Sequence, residues 1–144
     1  MSNVRIEKMK ESDLEEVAKI FCTVFNEEGE NWTEESSKSH VVQNYFGEAH
    51  FVAKENNNII GMIMGIPLTR ELGTEILIDS LVVLREYRGK GIGKKLFSKI
   101  LEYAKKEKYK GVRFLANPEF NSFKWYKKMK YKESGWVELF KEIE

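Results

Sequence analysis

The chain has 144 residues, of which 42% are hydrophobic and 33% charged, a size and balance that fit one soluble domain with a packed core and exclude wholesale disorder. Its longest nearly unbroken apolar stretch, Ile59 to Leu68, is interrupted by Gly61, Gly65 and Pro67 and falls short of the about 20 residues that span a bilayer, so no transmembrane helix is expected. The net charge of +1 hides a division: residues 1–72 carry 7 basic and 13 acidic side chains, residues 73–144 carry 17 and 10.

Val4 to Lys8 alternates apolar and polar and predicts a short strand. Ser12 and Glu15 have the spacing of a capping box, opening a helix whose apolar stripe is Leu14, Val17, Ala18, Phe21, Val24 and Phe25. An acidic segment, Asn26 to Glu35, breaks that period, and Thr33 is placed to cap a second helix running to about Phe46. Phe51 and Val52, the turn-prone Asn56-Asn57-Asn58 and then Ile59 to Ile66 predict a hairpin. Glu75 to Val83 predicts another strand, whose period of two places Glu75, Leu77, Asp79, Leu81 and Val83 on one face.

A glycine-rich turn, Arg88-Gly89-Lys90-Gly91-Ile92-Gly93, precedes Ile92, Leu96, Phe97, Ile100, Leu101 and Ala104 at helical spacing. Val112 to Ala116 predicts a strand, Phe123 to Met129 a helix, and Trp136 to Lys141 a final strand. With no linker, repeat or low-complexity segment, residues 1–144 are expected to form a single domain. The opening residues lack the apolar core of a secretory signal, which points to the cytoplasm.

A strand that ends in glycines and opens a helix aims free backbone N–H groups and the positive end of a helix dipole at one point, a place for phosphate. Two nucleotide motifs fail on spacing. Gly89 and Gly93 enclose three residues rather than four and are followed by Lys94-Lys95, and Gly-x-Gly-x-Gly is not the dinucleotide Gly-x-Gly-x-x-Gly.

The segment resembles the acetyl-CoA-binding motif Arg/Gln-x-x-Gly-x-Gly/Ala of the GCN5-related N-acetyltransferase (GNAT) superfamily, matched by Arg88, Gly91 and Gly93. The order of elements along most of the chain is similar as well. The resemblance implies a three-layer α/β/α fold with a mixed central sheet and the glycine loop between a long fourth strand and the third helix. It implies acetyl-CoA as co-substrate, its diphosphate held by amides of Arg88, Gly89, Lys90, Gly91, Ile92, Gly93 and Lys94. Main-chain groups at Leu81, Val82 and Val83 would pair with the pantetheine arm as an added strand.

Acetyl transfer to an amine needs a neutral amine and a proton for the departing thiolate. Deprotonating an alkyl ammonium of pKa near 10.4 at pH 7 costs roughly 4.6 kcal/mol, so a carboxylate base is useful, and Asp79 and Glu75 are both candidates. Tyr126, in Lys124-Trp125-Tyr126-Lys127-Lys128-Met129-Lys130-Tyr131, resembles the family's proton-donating tyrosine. That closing motif departs from the family at Lys130, where glycine is usual, and at Glu119, where asparagine is usual; Asn117 and Asn121 are near, and Asn121 is taken as a CoA contact.

His40 and His50 lie ten apart with no i, i+4 partner, so no metal is expected and both are read as surface or turn residues. Cys22, the single cysteine, cannot form an intrachain disulfide and reads as a small buried side chain. Trp32 stands among Glu27, Glu28, Glu30, Glu34 and Glu35, which suits a cationic acceptor such as a polyamine, an aminoglycoside or a basic peptide end. The same glutamates equally serve to cap and solvate two helix ends.

The function expected is thus acetyl-CoA-dependent N-acetyl transfer to a small-molecule or peptide amine by direct attack, by a monomer or homodimer. One alternative is a CoA-binding or regulatory module without turnover. The other is a nucleic-acid-binding domain, suggested by lysines interleaved with Phe123, Trp125, Tyr126 and Tyr131. Against nucleic acid, those aromatics fall mostly on one helix rather than at alternate strand positions.

Overall fold

The computed structural model describes residues 3–143. The backbone divides into two compact units, Met1–Phe114 and Leu115–Glu144.

The first unit is built on a five-stranded sheet of order β1-β2-β3-β4-β5: β1 is Val4–Lys8, β2 His50–Glu55, β3 Asn58–Arg70, β4 Gly73–Val83 and β5 Gly111–Arg113. Asn56 and Asn57 both take positive φ (51° and 71°), the pair of left-handed residues that a two-residue hairpin between β2 and β3 requires. β3 and β4 form a longer hairpin closed at Arg70 and Gly73. These four strands are antiparallel, whereas β5 runs parallel to β4, after the chain has crossed the sheet as helix α3, Ile92–Lys106.

Helices α1 (Leu14–Glu27) and α2 (Glu34–Gln43) cover one face and α3 the other, giving the expected mixed α/β/α layering. The α1 stripe of Leu14, Val17, Ala18, Phe21 and Val24 packs with Val41 of α2 on Val52, Met62, Met64 and Val82. On the opposite face α3 buries Ile92, Leu96, Phe97, Ile100 and Ala104; Leu101, expected on that stripe, is exposed. Thr33 caps α2 as expected, its Oγ1 accepting the Ser36 N–H at 2.9 Å. The Ser12–Glu15 box does not form. Residues Glu11–Asp13 make a 3-10 turn, and Lys10 N–H donates to Asp13 Oδ2 at 2.9 Å, so the entry to α1 is closed by Asp13.

One irregularity shapes the rest. Met64 pairs with Ser80 and the next residue, Gly65, with Ile78, so Asp79 is an extra residue in β4, a bulge in the hairpin with β3. The bulge reverses the facing of β4 at that point. Glu75 and Leu77 pair with Leu68 and Ile66 on the α1/α2 side, but Leu81 and Val83 pair with Ile63 and Gly61 on the α3 side. The strict alternation expected from Glu75 through Val83 therefore fails, because a period of two assumes one residue for one residue along the ladder.

The second unit contains α4, Asn121–Lys128. Its C-terminus closes on Lys130 in left-handed conformation (φ 71°), with Tyr131 N–H donating to Tyr126 O at 3.2 Å and Lys130 N–H to Lys127 O at 3.0 Å. This is a Schellman-type end whose left-handed position ordinarily belongs to glycine. The strand expected over Val112 to Ala116 shortens to β5, and the one expected over Trp136 to Lys141 is not formed. Trp136, Val137, Leu139 and Phe140 are 79–92% exposed, and no described strand edge pairs with this segment to turn its alternation into a ladder.

Candidate functional site

After β4 the chain makes a 3-10 turn, Arg85–Tyr87, and enters the glycine loop. The loop is pinned at its base: Tyr87 Oη donates to Glu55 Oε1 at 2.8 Å, and Arg88 Nε donates to the carbonyl of Val83 at 3.0 Å. Gly89 and Gly91 have φ of 76° and 81°, and a Cβ added at either would meet nothing within 4 Å. Glycine is needed here for conformation, and the space above the backbone is open. Gly91 is the N-cap of α3, and the first helical bond is Lys95 N–H to Gly91 O at 3.0 Å. The amides of Ile92, Gly93 and Lys94 thus stand in the first turn with no partner inside the helix. Lys90 and Lys94 are exposed beside them.

The edge of β4 leading to this loop is left bare by β5. β5 pairs with β4 only at Glu75, Ile76 and Leu77 and ends at Arg113, so from Asp79 to Val83 β4 has β3 on one side and no described strand on the other. Five residues of extended chain give a slot about 13 Å long between Asp79 and Val83, the expected Leu81, Val82 and Val83 among them.

Asp79, pushed out by the bulge toward α2, meets His40: Oδ2 lies 2.8 Å from Nε2. Both side chains are largely covered, 19% and 29% exposed. The imidazole is fixed by rings, 5.0 Å from Phe21 of α1 and 5.2 Å from Trp32. Its Nδ1 makes no hydrogen bond among the described residues. Beyond it a cleft of about 420 Å³ is lined by Trp32, Glu35, Ser39, His40 and Gln43.

The sequence predicts a surface or turn position for His40, but it lies half-buried on α2. The available signal was its place on α2, beside Ser37 and Val41 on the inward face. His50 is likewise no surface residue. It is 1% exposed, its Nε2 accepts the Phe46 N–H at 2.9 Å, and burial pulls its pKa down to about 4.

Glu75 stands apart from that pair. Arg113 Nε lies 3.0 Å and Arg70 Nε 3.4 Å from its Oε1, and the hydrogen bond from Arg113 holds its carboxyl below the usual range, which makes it a weaker proton acceptor. In the second unit Asn121 begins α4 and Tyr126 lies on the same helix, its ring 5.2 Å from that of Trp125 and 6.5 Å from that of Tyr131.

Trp32 is claimed by the core more than loop position suggests, its ring edge-on to Phe21 at 4.7 Å. Its indole N–H donates to Glu30 Oε1 at 2.8 Å and its backbone is clasped by Asn26, so Glu30 has a structural employment. Cys22 is half-buried, with Sγ 3.5 Å from Trp32 O. Burial raises the Glu28 carboxyl, with Arg88 of the glycine loop acting against it. No group of three or more His, Cys, Asp or Glu that could hold a metal occurs among the described residues, and no described helix is long and apolar enough to cross a membrane.

Residues 14–131 match the model of the acetyltransferase (GNAT) family. No curated protein matches the chain. Among solved structures, a possible acetyltransferase from Clostridium difficile 630 superposes with a TM-score of 0.84 at 24% identity, covering 97% of both chains. An aminoglycoside N-acetyltransferase in complex with CoA gives 0.81 at 14% identity, over 99% of this chain and 96% of that one. An aminoglycoside acetyltransferase from an uncultured soil metagenomic sample, in complex with sisomicin, gives 0.78 at 20% identity, over 98% and 97%. A glycine loop at a helix N-terminus, a strand edge bared beyond a bulge and a family match over four fifths of the sequence lead to one assignment: the chain belongs to the acetyltransferase (GNAT) family.

Proposed function

We propose that the protein is an acetyl-CoA-dependent N-acetyltransferase that acts in the cytoplasm on a primary amine of a cationic small molecule or peptide. The observation that carries the reading is the continuity of the bare β4 edge, Asp79 to Val83, with a loop whose glycines leave open space over free amides. The diphosphate of the co-substrate fits that space, since a Cβ there meets no atom and the first-turn amides of α3 are unspent. The pantetheine arm fits the slot as an added strand. When bound, acetyl-CoA supplies the activated acyl group, and the residues of this chain do the rest. Amides of Arg88 to Lys94 hold the phosphates, β4 orients the arm, and Tyr126 gives a proton to the departing sulfur.

An acceptor amine is supported by the cleft beside Trp32, where Glu35 supplies negative charge and Ser39 and Gln43 supply hydrogen-bond partners. Two similar folds were solved with CoA and with sisomicin, which makes aminoglycosides the first members of an amine panel that also holds polyamines and peptides.

The test is thermal denaturation with and without acetyl-CoA, followed by thiol release across that panel. Stabilisation by acetyl-CoA and thiol release with one amine class are expected, and Tyr126→Phe should lower turnover about tenfold or more with acetyl-CoA affinity nearly unchanged. Stabilisation with no turnover on any amine would favour a CoA-binding module instead, and the second reading draws its support from Lys130 in the closing motif. No stabilisation near millimolar acetyl-CoA would reject both.

A further inference from the structure

We infer that His40 is the group that takes the proton from the acceptor amine, and that Asp79 is the residue that positions it. This rests on the acetyl-transfer reading above and assigns the base within that site. A carboxylate on β4 was the expected base, but Asp79 Oδ2 is already engaged at 2.8 Å with His40 Nε2. An ionised carboxylate can only accept, so Nε2 carries the hydrogen, and in the neutral ring Nδ1 keeps its lone pair. That nitrogen makes no protein hydrogen bond among the described residues. His40 touches Asp79 on one side and lines the cleft on the other. An amine in the cleft therefore meets the imidazole before it meets the carboxylate. The carboxylate fixes the tautomer and steadies the imidazolium, as the third member does in any nucleophile–base–orienter arrangement.

The surroundings suit the task. Phe21 and Trp32 hold the ring from α1 and from the loop, so it cannot turn away from Asp79 without losing both contacts. Asp79 from β4 faces it, Glu35 of its own helix lines the same cleft and Glu30 stands behind the Trp32 indole, all acidic, while α1 presents Phe21. The bulge explains why Asp79 reaches α2. As the extra residue in β4 it leaves the ladder, and it stands where the bare edge begins.

The protons balance. An ammonium acceptor loses two hydrogens on becoming an amide: one passes to His40 Nδ1 and then to water, and the other restores the proton that Tyr126 gives to the sulfur. The nitrogen lone pair forms the C–N bond as the C–S bond breaks, with its electron pair going to sulfur. No oxidant, reductant or metal is needed.

The test has two arms on the full chain. In the first, long-range ¹H–¹⁵N spectra of the imidazoles are recorded without acetyl-CoA; with only two histidines, His40 and His50, assignment follows from His40→Gln. The proposal expects His40 at neutral pH to carry its hydrogen on Nε2, with that preference weakened in Asp79→Asn. Hydrogen on Nδ1 in the wild type would overturn it.

In the second arm, kcat/KM for the amine is measured against pH. The wild type should lose activity with unit slope on the acid side. His40→Gln, which keeps a donor for Asp79, should lack that limb and be slower by about a hundredfold or more, with little change in KM. Added imidazole should restore part of the rate to His40→Gly. A His40→Gln enzyme that is folded and retains wild-type rate and profile would overturn the assignment of His40 while leaving acetyl transfer intact. A wild type that transfers to no amine would overturn the reading on which it rests.

Discussion

Gly65 faces α3 from the strand opposite the bulge, and replacing it with alanine tests how tightly that region is packed. A Cβ at this position would lie 2.7 Å from Ile76 Cγ2, 3.1 Å from Ile100 Cδ1 and 3.2 Å from the carbonyl oxygen of Ala49. None of the three has room to retreat. Ile76 and Ile100 are fully buried, and the Ala49 carbonyl accepts the Gly65 N–H itself at 2.8 Å. Restoring ordinary contact requires Ile76 to move by about 1 Å within a close-packed core. Overpacking of this kind costs about 1–3 kcal/mol. At this chain length a loss near 2 kcal/mol lowers Tm by roughly 4–8 °C. Gly111 in β5 is the control, since a Cβ there meets nothing within 4 Å, and Gly111→Ala should stay within about 0.5 kcal/mol of the parent. Urea unfolding followed by far-UV circular dichroism measures both, with an unchanged m-value showing that the transitions are comparable. A Gly65→Ala protein as stable as the parent, or a Gly111→Ala protein that loses as much, would refute the steric account.

Lys130→Gly should stabilise the protein by about 1 kcal/mol in the same assay, because Lys130 holds a left-handed conformation at the end of α4; a loss would show that the lysine side chain is worth more than the strain. Thr33→Ala removes the cap of α2 and should cost about 1 kcal/mol, and no loss would mean that Ser36 caps without it. His50 gives a pH dependence. Its folded pKa, about 4, lies below the ordinary value of about 6.5, so the fold favours the neutral ring. That contribution is complete above pH 6.5 and is lost as pH falls from there toward 4, by at most about 3 kcal/mol. Urea midpoints at stepped pH should fall less steeply for His50→Asn than for the parent, and equal slopes would count against the ring.

The layering, the hairpins and the glycine loop were legible because each rests on local chemistry: periodic apolar stripes, paired asparagines, glycines with positive φ. The His40–Asp79 pair was not. It joins residues 39 apart through a bulge, and an extra residue in a strand leaves no mark in hydrophobic alternation. The same blindness placed Leu81 and Val83 on the face of Glu75. Trp136 to Lys141 erred in the other direction, since alternation reports what a strand would bury and not whether an edge exists to receive it. Lys130 sits where the family's glycine does, and the positive φ gives the physical reason that glycine is usual there.

The sheet order also sets a sequence of events during synthesis. Strands β1 to β4 are paired neighbour to neighbour, so all the residues of their ladders, of α1 and α2 and of the His40–Asp79 contact have been made once residue 83 has emerged. The glycine loop, α3 and β5 follow over the next 30 residues, roughly 2–6 s later at ordinary elongation rates. Through that interval the outer edge of β4, with Ile76, Leu77, Ile78, Leu81, Val82 and Val83 in extended form, is an open template for another chain. The edge proposed to take the pantetheine arm is thus also an edge that the nascent chain exposes to misassembly before β5 arrives.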